Sequence, residues 1–233
     1  MQLSGEINTN KCCKNQHLNF LTQLRTNNNK TWFDAHREEY QNARADFANF
    51  IDNTITEVSK NDHSIQHLKS KDCMFRINRD IRFSKNKEPY KTNFGAFLAA
   101  GGKKSPLAGY YFHLEPSLSF AGGGLWMPQA AQLNKVRQEI DYNFADFKKI
   151  IKNKPFKEIY GELTAENGQE LTRVPKGYEA NNPAAEYLKF KSFVVMKGIS
   201  DAELTSENLT KNILIAFYTL QPLIYFLNEG INS

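Results

Sequence analysis

Apolar residues recur at helical spacing near both ends of the chain. Leucines fall every three residues between 17 and 25 and predict a first helix. Thr31 and Asp34 have the spacing of a capping box, which predicts the start of a long amphipathic helix. A last helix is predicted over about residues 206–228, and Ser200 with Glu203 forms a second capping box before it.

The middle of the chain has the period of two that is typical of strands. Apolar and polar side chains alternate over residues 75–84, which predicts a strand with Ile77 and Phe83 on one face. Further strands are predicted at 110–114, 117–121 and 193–199, and Asn167-Gly168 predicts a hairpin turn. Helices at both ends and hairpins between them predict an α+β fold with a mainly antiparallel sheet.

Length and composition favour a single domain without a cofactor. Of the 233 residues, 40% are hydrophobic, and no linker interrupts the pattern, so we expect one domain over 17–233. The polar segment 1–16 contains no apolar signal-peptide region, and we expect it to be disordered. The 3 cysteines lack the spacing of a disulfide framework or a zinc site, and no apolar run is long enough to span a membrane. We therefore expect no metal, no membrane association and a reducing, cytoplasmic setting.

The positive charge is concentrated in one region. Residues 69–104 contain ten Lys or Arg and three acids, so this segment carries +7 and the rest of the chain −2 of the total of +5. Arg79 falls on the apolar face of the predicted strand, where a guanidinium needs a carboxylate, and Glu115 and Asp80 are the nearest candidates in sequence. We interpret Arg79 as part of a structural ion pair.

Two other arginines are the stronger candidates for binding a ligand. Arg76 and Arg82 share the polar face of the predicted strand, and Lys91 follows on the adjoining turn. Guanidinium groups bind carboxylate and phosphate in a bidentate manner, and a nearby lysine adds positive potential. The alternative interpretation is a solvated basic face.

Three weaker candidates lie further along the chain. Gly122, Gly123 and Gly124 predict a turn before a helix that begins at Pro128, where backbone N–H groups can approach an anion beside Trp126. The glycines lack the lysine of a nucleotide-binding loop, so a tight turn is the alternative. Lys176 lies in a predicted Pro-Lys-Gly-Tyr turn, and an ordinary surface turn is favoured there. His113 is interpreted as a hydrogen-bonded sheet histidine rather than a base.

Several motifs together resemble one known family. Residues 75–85 (FRINRDIRFSK) and 89–92 (PYKT) resemble the signature of the family catalogued as domain of unknown function 2461. Further similar segments are Trp32-Phe33 with Tyr40, 122–126 with Pro128, 175–178, and Leu188 with 191–193. The chain reads Asn182-Pro183 where the family commonly has His-Pro. The family has no established activity or cofactor, so the resemblance implies one domain and the position of the site.

Three functions are compatible with this pattern. In the first, Arg76, Arg82 and Lys91 bind a small phosphate- or carboxylate-bearing ligand, with Glu115 as base or orienting group and Trp126 as an apolar wall. In the second, the same basic strand binds nucleic acid. In the third, the arginines pair internally and the protein has a structural or interaction role. The sequence favours the first and leaves open whether the protein is an enzyme.

Overall fold

The computed structural model describes residues 15–165 and 170–233. Four helices come first: α1 (Asn15–Thr26), α2 (Lys30–Ala35), α3 (Arg37–Val58) and α4 (Ser70–Cys73). Three strands follow: β1 (Phe94–Leu98), β2 (Gly109–Leu114) and β3 (Ser119–Leu125). The rest comprises α5 (Ala130–Tyr142), α6 (Phe144–Ile151), α7 (Lys154–Tyr160), α8 (Ala185–Leu188), β4 (Phe193–Ile199), α9 (Asp201–Leu204) and α10 (Leu209–Asn232).

The four strands form one antiparallel sheet in the order β1-β2-β3-β4. This confirms the predicted α+β class, and the long helices α3 and α10 lie toward the two ends of the chain. The strands predicted at 110–114 and 193–199 are also confirmed. Across the described residues, no helix combines the length and apolarity that crossing a bilayer requires.

The helix starts follow local capping chemistry, with one difference from the prediction. Ser200 and Glu203 form the predicted capping box at α9. The box predicted at Thr31 is wrong, because Asn29 caps α2 by accepting a hydrogen bond from the backbone N–H of Trp32. His36 then interrupts the helical backbone, so that a short helix precedes α3.

The core lies between the sheet and the helices that cover one of its faces. Tyr110, Phe112 and Leu114 on β2 are buried there. Phe112 packs against Phe47 of α3, and Tyr110 packs against Phe217 of α10. Because side chains alternate along a strand, Tyr111 and His113 lie on the opposite face, which the helices leave partly open.

The segment 75–84 is not the strand that its alternation predicts. Among the described residues, this segment forms one isolated bridge, between Asn78 and Tyr90, and a second bridge just before it joins Met74 to Ala96. The chain turns back on itself between Asn78 and Tyr90. Phe83, within this turn, is 96% exposed, while Ile77 is buried. Alternation alone was misleading because, within residues 15–165 and 170–233, no strand lies beside this segment to cover Phe83.

The three glycines 122–124 also differ from the prediction, because they lie within β3 rather than in a turn. A Cβ at Gly122 would lie 2.0 Å from the carbonyl oxygen of Val195, and one at Gly124 would lie 2.0 Å from that of Phe193. Gly123 has a φ of 151° and faces the carbonyl oxygen of Gly109 in the same way. Glycine is therefore required here for close approach of the neighbouring strands.

Two further predictions concern the ends of elements. The helix predicted to begin at Pro128 begins at Ala130. The hairpin turn predicted at Asn167-Gly168 lies outside the described residues.

Candidate functional site

The open face of the sheet forms the floor of a cleft of about 960 Å³. Its aromatic lining comes from the segment before β1 and from β1, β2, β3 and the connection to α5. These side chains are Phe75, Phe97, Tyr111, Phe120 and Trp126. Lys91, Lys103, Lys104 and His113 add basic and titratable groups to the lining. The cleft therefore combines apolar walls with cationic groups.

Strand register explains why these side chains meet. Tyr111 lies between Phe97 of β1 and Gly122 of β3, while His113 lies between Gly95 and Phe120. The glycines leave space beside the larger rings. A Cβ at Gly95 would lie 2.5 Å from the hydroxyl oxygen of Tyr111, so this phenol occupies the volume that a side chain at 95 would take.

Lys91 is the cation most closely associated with the aromatic lining. Its ammonium lies 5.5 Å from the ring centroid of Phe75. Partial burial and the positive charge of Arg76 both lower the pKa of Lys91. Within the described part of the chain, neither Lys91 nor Arg76 has a carboxylate within ion-pair distance. These two cations are thus available to an external anion.

The other two arginines of the basic segment have partners of their own. Arg79 lies 3.4 Å from Glu88, so its partner is neither Glu115 nor Asp80 as the sequence suggested. Arg82 binds both oxygens of Asp80, at 2.9 and 2.7 Å, and this ion pair lowers the pKa of Asp80. The Arg82 side chain is 76% exposed and lies outside the lining of the cleft.

A polar network that the sequence analysis did not connect lies at the floor of the cleft. His113 Nε2 is 2.9 Å from Oε2 of Glu115, and Oε1 of Glu115 accepts a hydrogen bond of 2.6 Å from the hydroxyl of Thr92. The Tyr111 hydroxyl lies 3.2 Å from His113 Nδ1. The Phe120 ring stacks on the imidazole at 4.8 Å between centroids.

The surroundings of Tyr111 keep its phenol protonated. Burial and the negative charge of Glu115 raise the pKa of Tyr111 to about 12. The signal in the sequence was the alternation Tyr111, His113, Glu115, which places three polar side chains on one side of a strand. It was missed because His113 was considered alone rather than with its neighbours at two-residue spacing.

The remaining predicted site residues fall into two groups. Gly123, Gly124 and Trp126 line the cleft, and Gly122 precedes them in β3. Lys176 is exposed in the turn before Tyr178 and does not contribute to the lining. Asn182, where the family commonly has histidine, donates a hydrogen bond of 2.5 Å to Asp141 on α5.

Arg137 on α5 is a buried cation that sequence reasoning also missed. It is 5% exposed, and its Nη2 donates to the backbone carbonyl of Phe190 at 3.1 Å. Its Nε has no hydrogen-bond partner among the described residues, and burial lowers the pKa of the guanidinium. The interaction fixes α5 to the loop that precedes β4.

A second cavity, of about 720 Å³, lies among α6, α7 and α10. Its lining is mostly apolar and amide side chains, with Asp146 and Lys149 as the charged groups. Among the described residues, no three His, Cys, Asp or Glu side chains come together as metal ligands would. Titratable groups, cations and aromatic walls thus converge at the sheet cleft, which is the better candidate site.

Comparison with known proteins supports the resemblance seen in the motifs. No curated protein and no solved structure matches the chain. The model of the family described as "Conserved hypothetical protein (DUF2461)" matches residues 16–226, which include every element that builds the cleft. The chain belongs to this family.

Proposed function

We propose that the cleft on the open face of the sheet binds a small anionic ligand with an aromatic or apolar body. The observation that carries this proposal is Lys91, a partly buried ammonium without a carboxylate partner among the described residues, which lies at an aromatic wall. An anion would offset the loss of hydration that lowers the pKa of Lys91. Arg76 is exposed and lies outside the lining of the cleft, and its positive charge acts on Lys91 from nearby.

The size and lining of the cleft agree with this class of ligand. Small-molecule sites are commonly about 300–1,000 Å³, with mainly apolar walls and a few oriented polar groups. The cleft has about 960 Å³, and Phe75, Phe120 and Trp126 offer ring surfaces on which a planar group can stack. Gly123 and Gly124 keep the floor low enough for such a group to lie against the backbone.

Thermal-shift measurement with phosphorylated and carboxylated metabolites tests the proposal. A ligand at about 100 times its Kd stabilises the folded state by about 2.7 kcal/mol. Lys91→Met should remove the shift, because it deletes the charge and keeps the apolar stem. Lys211→Met, on the exposed side of α10, is the matched control and should retain the shift. Identical shifts in both variants would contradict a site at Lys91.

A second candidate function is suggested by Phe83. Its ring is 96% exposed, and the guanidinium of Arg82 lies 5.8 Å from the ring centroid. Lys85 and Lys87 are exposed on the same loop. An exposed ring among cations is a surface on which a single-stranded nucleic acid base can stack.

Binding to labelled single-stranded oligonucleotides at several salt concentrations tests this candidate. The logarithm of affinity should fall by about 0.7–0.9 per phosphate neutralised for each tenfold rise in salt. Phe83→Ala should weaken binding, while Tyr142→Ala, which removes another exposed ring, should not. Absence of salt-dependent binding would eliminate this function.

The third possibility, a purely structural role for the arginines, has less support. It requires all three arginines to be buried against carboxylates, whereas the Arg82 pair is exposed and Arg76 has no such partner in the described chain.

As part of the proposal, we place the protein in a reducing, cytoplasmic setting, in which Cys73 stays a buried free thiol.

A further inference from the structure

Tyr111, His113 and Glu115 form a continuous chain of hydrogen bonds at the floor of the cleft. Tyr111 and His113 line the cleft, and Glu115 lies behind His113 just past the end of β2. Their contacts are 3.2 Å between the Tyr111 hydroxyl and Nδ1, and 2.9 Å between Nε2 and the Glu115 carboxylate. The chain of hydrogen bonds therefore begins in the cleft and ends at a carboxylate outside its lining.

The donors and acceptors fix the direction of this chain. A carboxylate only accepts hydrogen bonds, so Nε2 of His113 must carry the proton that it shares with Glu115. In the neutral imidazole, Nδ1 is then an acceptor. The two groups that face Nδ1 are both able to donate, namely the Tyr111 hydroxyl and the side-chain amide of Asn93 at 3.4 Å. Nδ1 is thus prepared to take the phenolic proton.

Two contacts hold the imidazole and the carboxylate in place. Phe120 stacks on the His113 ring with an interplanar angle of 10°. Thr92 donates to the second oxygen of Glu115 at 2.6 Å, which leaves the first oxygen directed at Nε2. A base oriented by a third group is the arrangement that activates a proton-transferring side chain.

We propose that Tyr111, His113 and Glu115 act as a proton relay on an enolisable carboxylate with an aromatic body, such as an aromatic 2-oxo acid, bound in the cleft. This inference rests on the proposed function, because it takes Lys91 as the group that binds the carboxylate. Phe75 and Trp126 supply the surfaces for the ring. Tyr111 and His113 are the catalytic residues, and Glu115 is a positioning residue.

The step balances without any other reactant. The proton of the acidic C–H passes to the oxygen of Tyr111 while the phenolic proton moves to Nδ1 of His113. The electron pair of the C–H bond forms the C=C bond of the enol, and the carbonyl π pair moves to oxygen. The carboxylate of Glu115 compensates the positive charge of the His113 imidazolium. The imidazolium then returns its proton through Tyr111 to the enolate oxygen. The net reaction is a keto–enol isomerisation.

The surroundings of Tyr111 suit a shuttle rather than a nucleophile. The phenol is protonated at neutral pH, as an ordinary tyrosine is, and burial and Glu115 disfavour the phenolate further. It therefore transfers protons in concert instead of attacking the ligand. Gly95 leaves the space that its hydroxyl occupies, since a Cβ there would lie 2.5 Å from that oxygen.

Deuterium incorporation into phenylpyruvate in D₂O, followed by proton NMR, tests the proposal. The full chain should exchange the benzylic protons faster than buffer alone. Tyr111→Phe should slow the catalysed exchange by at least about 100-fold, since general acid–base groups contribute about 10²- to 10⁴-fold. Tyr142→Phe, in an exposed position outside the cleft, should leave it unchanged.

Binding measured on the same samples separates the two proposals. If phenylpyruvate binds through Lys91 and no exchange above buffer occurs, the relay is wrong and the anion site stands. If phenylpyruvate fails to bind while another anion binds through Lys91, the substrate class is wrong and the anion site stands. If no anion in the panel binds, the proposed function and the relay fail together.

The relay itself has a readout that needs no ligand. Nitrogen-15 NMR of the His113 ring should give a protonated Nε2 and an unprotonated Nδ1. Tyr111→Phe should move the Nδ1 resonance, and Glu115→Gln should change the tautomer ratio and slow exchange while phenylpyruvate still binds. A proton resident on Nδ1 in the neutral ring of the folded wild-type protein would overturn the relay.

Discussion

Tyr110 and Tyr111 are neighbours on β2, yet their hydroxyl groups have different surroundings. Tyr110 is 1% exposed and donates a hydrogen bond of 2.9 Å to Asp62, which is itself buried and also accepts from Ser64. Tyr111 lies on the open face and contacts His113, a side chain that lines the cleft. The Tyr110 hydroxyl on the buried face is paired inside the core, whereas the Tyr111 hydroxyl on the open face is hydrogen-bonded at the floor of the cleft.

Alternate residues of β2 thus have different surroundings: Tyr110 contributes to the core, and Tyr111 lines the cleft. On the inner face, the Tyr110 hydroxyl has a fixed internal partner in Asp62, as buried groups require. On the outer face, the chain of hydrogen bonds from Glu115 through His113 to Tyr111 reaches the cleft. Substitutions that sample both faces test this division directly.

The largest effect is expected at Phe112. Its ring is fully buried against Phe47 and Phe50, so Phe112→Ala should reduce the free energy of unfolding by about 3–5 kcal/mol. Phe120→Ala, the same change on the open face, should cost clearly less because Phe120 is partly exposed. Urea unfolding measures both. Equal losses would contradict the division between the two faces.

The next effect is expected at the neighbouring tyrosines Tyr110 and Tyr111. Tyr110→Phe leaves an oxygen of buried Asp62 without its donor, and should destabilise the protein by about 1–3 kcal/mol. Tyr111→Phe removes a hydrogen bond at a partly exposed site and should cost less, about 0.5–1.5 kcal/mol. If the order of these two losses were reversed in chemical denaturation, the assignment of the faces would need revision.

An effect of about 1.4 kcal/mol per pH unit is expected at alkaline pH. The pKa of Tyr111 rises from 10.0 to about 12 on folding, so between these values the unfolded chain loses a proton that the folded chain retains. The contribution of Tyr111 to the free energy of unfolding is fully present below pH 10 and is lost as the pH rises toward 12. Tyr111→Phe should therefore reduce the slope of unfolding free energy against pH in this range.

Denaturant unfolding at several pH values between 9 and 11.5 measures that slope. Tyr142→Phe, which removes the hydroxyl of an exposed side chain, serves as the control. A slope that is the same in the wild type and in Tyr111→Phe would mean that the Tyr111 phenol is not protected from ionisation by the fold.

The smallest effect is expected at Arg82, outside both faces of the sheet. Its ion pair with Asp80 is exposed, and such pairs contribute about 0.2–1 kcal/mol. Arg82→Ala should accordingly change thermal stability little, and high salt should reduce the difference further. A loss comparable to that of Phe112→Ala would show that the basic loop has a structural role.

Elements whose signal is local were predictable from the sequence. Strand β4 and the capping box at Ser200 have their predicted positions, because alternation and capping depend on residues close in the chain. The segment around Phe83 has the same alternation, but in the described part of the chain no strand pairs with it, so its pattern predicted a strand wrongly. The glycines 122–124 predicted a turn, whereas their actual constraint is contact with β4, which lies far away in sequence.

The candidate site depends even more on register. Lys91 and Trp126 were chosen for their chemistry, and the structure brings both to the cleft. Arg82 was chosen on the same grounds but is bound to Asp80 on an exposed loop. The alternation of Tyr111, His113 and Glu115 was visible in the sequence, whereas the stacking of Phe120 on His113 was not, because it follows from the pairing of β2 with β3.

The position of α10 has a consequence for the order in which the molecule folds. The four strands are consecutive neighbours in the sheet, so each pairing closes without a crossover. In contrast, α10 contacts β2 through Phe217 and Tyr110, and α5 to α9 and β4 lie between β3 and α10 in the chain. Because closing so long a loop is slow relative to hairpin formation, we expect β1, β2 and β3 to pair before α10 covers their inner face. The part of the cleft floor that these three strands provide would then assemble before β4 and the last helix are added.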